Sequence, residues 1–101
     1  MLDVLRARFD PSRAGDLDAT VEFNWGDGAC RVGIHDAAAR FYEEETCAPT
    51  PDLIIYFRDA EQARAIVEGK ADPVAAFMAG EFRSSGYLVW VFQTLAAFSK
   101  R

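Results

Sequence analysis

The chain has 101 residues, enough for one hydrophobic core and too few for two. Half of them are apolar, with eight Phe, three Tyr and two Trp, a composition that excludes a disordered chain. Sixteen acidic against eleven basic residues leave a net charge of −5, which argues against binding a nucleic-acid backbone and against electrostatic docking on anionic lipid.

Met1 to Arg8 reads as a short helix, because Leu2, Leu5 and Phe9 recur at spacings of three and four. Asp3, Arg6 and Arg8 break any apolar export segment, so residues 1–101 read as a single domain without a leader. Asp10-Pro11 starts a helical turn, with Asp as the cap and Pro where its missing N–H costs nothing; Gly15 stops it. Ala19 to Trp25 alternates, with Ala19, Val21, Phe23 and Trp25 on one face, and predicts a half-buried strand. Gly26-Asp27-Gly28 is a hairpin signal leading to a second strand in which Cys30, Val32 and Ile34 share a face. After a turn at His35-Asp36-Ala37, Ala38 to Glu44 fits a strand or a helical stretch; the two strands before it favour strand.

Thr46 to Pro51 is a loop, and Leu53 to Phe57 a strand by its β-branched and aromatic content. Asp59 and Gln62 have the spacing of a capping box opening a helix that ends at Gly69. Asp72-Pro73 opens another, closed by Gly80. Glu81 to Ser85 predicts a fifth strand. Tyr87 to Phe98 predicts a final helix that is apolar on nearly all sides, which a small domain has little room to bury. It is also shorter than the ~20 residues of a membrane span. The fold class expected is α+β: about five mostly antiparallel strands with helices on one face.

Catalytic chemistry finds little support. His35 is the only histidine and sits at a turn, outside any nucleophile motif. Cys30 falls on an apolar strand face, as a small core residue would. Cys47 has no ligand cluster around it, and Cys47 with His35 falls short of the three or four ligands of zinc. The two cysteines form no C-x-x-C pair and read as thiols of a reducing, cytoplasmic protein. Glu43, Glu44 and Glu45 would alternate across a strand end and form no shared cage. No enzyme activity, metal or cofactor is expected.

The run Glu68-Gly69-Lys70-Ala71-Asp72-Pro73-Val74-Ala75-Ala76-Phe77-Met78-Ala79-Gly80 resembles the most recognisable stretch of the type-two sterol carrier protein family: a Gly-Lys turn, then a short helix ending in an aromatic residue, a Met and a Gly. Phe9-Asp10-Pro11, Asp18 to Phe23, Pro51-Asp52-Leu53 and Gly86 extend the resemblance over roughly Phe9 to Leu95. It implies helices packed on one side of the sheet around an apolar tunnel that takes a fatty acyl chain, acyl-CoA, phospholipid, isoprenoid or sterol. Carried over by position, Phe77 and Met78 would sit beside the tunnel, and Leu88, Trp90, Val91 and Phe92 would form its closing helix. Phe23, Val32, Ile55 and Phe57 would line it from the sheet. Trp90 and Phe92 are bulkier than the residues usual there, which implies a smaller pocket. The function implied is non-catalytic lipid carriage with at most transient membrane contact. The rival is a structural or regulatory dimerisation domain whose own aromatics fill the pocket. Ile54 and Tyr56 would project from the open face of the sheet and favour a homodimer, unless Leu2, Leu5 and Phe9 fold over that face.

Overall fold

The alternation that begins at Ala19 builds the centre of the sheet. In the computed structural model, which describes residues 1–42 and 49–98, strand β1 spans Ala19–Asn24. The next strand, β2 (Ala29–His35), returns antiparallel to it, with Val21 opposite Val32 and Phe23 opposite Cys30. A third, β3 (Ala38–Tyr42), pairs antiparallel with β2. On the other side of β1, β4 (Leu53–Phe57) runs parallel, setting Phe23 opposite Ile55, and β5 (Phe82–Ser85) pairs antiparallel with β4. The order is β3-β2-β1-β4-β5, a mixed sheet with a single parallel pairing. The acidic run at 43–45, Cys47 and the start of the expected loop lie outside the described residues.

A period of two then sorts the side chains. Val21, Phe23, Cys30, Val32, Ile34, Leu53, Ile55, Phe57 and Phe82 share the inner face and are all buried. The outer face is largely polar. Its Glu22 is only 7% exposed. It is tolerated because Arg31, its cross-strand partner, approaches the carboxylate to 3.1 Å and also donates to the Pro49 carbonyl. Ile54 and Tyr56 lie on this face, Tyr56 exposed and Ile54 half-buried.

The helices cover the inner face. The N-terminal helix α1 (Leu2–Arg8) does not fold over the outer face: its Leu5 is fully buried in the core. Arg8 Nε donates to the Val67 and Phe98 carbonyls at 2.9 and 3.1 Å, and the Asp10 N–H to the Ala97 carbonyl at 2.8 Å. From α2 (Pro11–Ala14), the Ala14 carbonyl accepts from Gln93 Nε2 at 2.7 Å. The first fifteen residues are thus stitched to the last helix, α5 (Leu88–Phe98).

The aspartates expected as caps all act as caps. Asp10, Asp59 and Asp72 accept from the N–H of Ser12, Gln62 and Val74, opening α2, α3 (Ala60–Val67) and α4 (Pro73–Met78). The Gln62 N–H, with help from Arg58, holds the Asp59 carboxyl below its ordinary value. Gln62 corrects the capping-box expectation. Its side chain accepts from the Arg58 N–H at 2.7 Å rather than from the cap residue, and its amide donates to the Glu81 carbonyl at 2.7 Å. Gly86 has φ +100°, and a Cβ there would stand 2.7 Å from the Asp52 carbonyl oxygen, so only glycine turns β5 into α5.

Candidate ligand-binding site

The eight phenylalanines form one continuous row between sheet and helices. Phe98, fully buried, joins Phe9, Phe23 and Phe41 at centroid distances of 5.4, 5.7 and 6.4 Å. From Phe23 the row passes to Phe57, Phe82, Phe77 and Phe92, the last two pairs each at 5.5 Å. These are tilted or edge-to-face contacts, apart from the stacked Phe23–Phe57 pair, within the range favoured by ring quadrupoles.

The row reaches the surface between α4 and α5. Phe77 and Phe92 are half-buried. Val74 stands one turn before Phe77 and Met78, and Leu88 one turn before Phe92. Val74, Met78 and Leu88 are 54%, 80% and 42% exposed, so apolar side chains open to solvent flank the Phe77–Phe92 contact. Tyr87 and Val89 are exposed beside them, and the Tyr87 and Trp90 rings meet edge to face. No charged residue occurs from Pro73 to Gly80 or from Ser84 to Phe98. The burial problem posed by an all-apolar final helix is therefore solved only in part: Val91, Leu95 and Phe98 go into the core, and the first turn stays outside.

The residues assigned to a tunnel by position divide in three. Phe23, Val32, Ile55, Phe57 and Val91 are buried in the core. Phe77, Trp90 and Phe92 are half-buried where the row of rings meets the surface. Met78 and Leu88 face solvent rather than an interior tunnel. Three clefts lie away from these residues. One, of about 390 Å³, is lined by Met1, Trp25, Ala60, Glu61 and Arg64, and a smaller one of about 230 Å³ adjoins it at Met1 and Trp25. Another of about 390 Å³ is lined by Asp16, Asp18 and Asp36.

The reactive side chains are elsewhere or quenched. His35 is exposed and bonds to Asp18. No group of three or more His, Cys, Asp and Glu that could hold a metal ion occurs among the described residues. Burial pushes the Cys30 thiol up to about 12. Its neutral form is favoured by folding, so the stability it contributes is intact below pH 9.0 and fades as pH climbs toward 12. At pH 8, iodoacetamide is expected to label Cys30 at least about a hundredfold more slowly in the folded than in the urea-unfolded protein. Peptide-resolved mass spectrometry reads this, and equal rates would refute the burial argument.

Sequence comparison finds no matching family model and no matching curated protein. Structural comparison does. The sec-alkylsulfatase Pisa1 from Pseudomonas sp. matches 98% of this chain with a TM-score of 0.71 at 16% identity, but the chain spans only 16% of that enzyme's length. Sterol carrier protein 2 from Yarrowia lipolytica, in its apo form, matches 98% of this chain and 89% of its own, with a TM-score of 0.60 and 18% identity. This is the sterol carrier protein 2 fold. The palmitated sterol carrier protein 2-like 2 of Aedes aegypti has it too, over 99% of this chain and 97% of its own, with a TM-score of 0.59 and 12% identity. The sterol carrier fold here keeps the five-stranded sheet and its helical cover, and no helix among the described residues is long and apolar enough to cross a membrane.

Proposed function

We propose that this domain binds and carries a chain-like apolar lipid without altering it, and that the lipid enters between α4 and α5. The observation that carries this reading is the charge-free, solvent-open apolar surface around Phe77 and Phe92, continuous with the interior row of rings. The palmitated state of a protein with the same fold supports an acyl ligand. Entry requires the half-buried Phe77 and Phe92 rings to part. An acyl chain of about twenty heavy atoms, at about 0.3 kcal/mol per atom, would bind in the tens of micromolar, weakly enough to be released. We place the carrier in the reducing cytoplasm, where Cys30 remains a thiol.

Met78→Asp tests the location. Met78 is 80% exposed, so the melting temperature is expected to stay within about 2 °C. Affinity for a fluorescent fatty acid is expected to fall about threefold at low salt and to recover in high salt, because an exposed carboxylate at position 78 repels the fatty acid's own carboxylate as it reaches the entry. Undiminished affinity in the folded variant would remove the entry site from between α4 and α5.

A structural module, self-associating or built into a larger protein, is the second reading. It is favoured by the rings that already occupy the interior and by the match to one segment of a larger enzyme. Mass spectrometry of an organic extract separates the two. Near-stoichiometric lipid supports carriage; its absence, with a fatty-acid titration that never saturates, supports the structural role.

A further inference from the structure

We infer that the cleft between α3 and the β1–β2 hairpin is a second, separate binding site, for a small carboxylate with a flat apolar body. The seat of Trp25 is the first observation. The Trp25 N–H donates to the Gly28 carbonyl and closes the hairpin turn. Gly28 is not among the glycines with positive φ, so its backbone does not require glycine. What requires it is the indole. A Cβ on Gly28 would stand 2.7 Å from Trp25 Nε1 and 2.9 Å from Cε2 and Cζ2. The missing side chain lets the ring lie down on the hairpin, where it becomes a wall shared by the 390 and 230 Å³ clefts. A volume of 390 Å³ is at the small end of ligand sites, and an aromatic wall with a few polar groups at the rim is their usual make-up.

Charge is the second observation. Arg64 lines the same cleft, is exposed, and makes no side-chain hydrogen bond or ion pair among the described residues. Its planar fork matches a carboxylate in two parallel hydrogen bonds. The cleft also reaches the first turn of α3, at Ala60 and Glu61, but the Asp59 cap already meets the positive end of that helix, so Arg64 carries the attraction. Glu61 opposes Arg64, and removing that carboxylate should strengthen binding.

The probe is 2-naphthoate, followed through the indole N–H cross-peaks of Trp25 and Trp90 in a ¹⁵N-labelled sample. The Trp25 peak is expected to move saturably, with a dissociation constant of about 1 mM for a ligand of about thirteen heavy atoms, and the Trp90 peak to stay in place. Arg64→Gln, or the neutral 2-naphthamide on the wild type, is expected to weaken binding at least fivefold, and Glu61→Gln to tighten it. Met78→Asp is expected to bind 2-naphthoate as the wild type does, so failure of the lipid reading and failure of this one are separable. A still Trp25 peak, a shift of Trp90 instead, or equal binding of the amide would each overturn the site.

Discussion

Replacing Phe98 by alanine is expected to lower the stability of the domain by about 3–5 kcal/mol, read as a shift in the urea midpoint at unchanged slope. Phe98 has no solvent exposure and is the ring through which Phe9, Phe23 and Phe41 meet. Its loss removes apolar transfer free energy, leaves a cavity, and breaks three ring contacts at once. A domain of this size has only about 5–15 kcal/mol in total, so the variant should be near its unfolding threshold at room temperature. Phe98→Leu fills most of the space and should retain well over half of the stability. A loss below about 1 kcal/mol for alanine would mean that the row of rings is not the core it is argued to be.

Gln62→Leu is expected to cost about 2 kcal/mol despite adding apolar surface to a buried position. The leucine is close in volume, so packing changes little. What is lost is an acceptor for the Arg58 N–H and a donor for the Glu81 carbonyl, both at 2.7 Å. Gln62 is the clasp between the start of α3 and the entrance to β5, next to Phe82 in the row of rings. Hydrogen exchange at Arg58 should therefore accelerate in the variant while the β1–β2 ladder keeps its protection. Unchanged stability would show that water serves these groups as well as the amide does.

Much of the fold is legible in the sequence because its causes are local. An Asp before Pro, or three residues before Gln, announces an orphan N–H that a carboxylate will take, and Asp10, Asp59 and Asp72 each do so. Alternation from Ala19 decides which side chains of β1 and β2 face the core, because a slip of one residue would expose Phe23 and bury Asn24. Pairing between distant strands has no such signature. Nothing in Leu53–Phe57 states that it lies parallel to β1, and the side taken by α1 depends on Arg8 reaching carbonyls at Val67 and Phe98. The positions of the candidate sites were harder still. Phe77 and Met78 are adjacent in sequence, yet one joins the row of rings and the other faces solvent. Trp25 and Arg64 are brought together only by the tertiary fold; the one local trace is a tryptophan at a hairpin end beside a glycine whose φ does not demand it.

The stitching of the first fifteen residues to α5 has a consequence during synthesis on the ribosome. Asp10 gives its N–H to Ala97, and Phe9 packs on Phe98, so contacts that close the core span nearly the whole chain. Until residue 98 has left the exit tunnel, Phe9, Phe23 and Phe41 lack the ring that joins them, and the nascent domain keeps an unclosed apolar face while residues 9–98 are being made. At about 5–20 residues per second that exposure lasts for seconds, long enough for chaperones to meet it, and the domain should acquire protease resistance in one late step rather than gradually as its strands emerge.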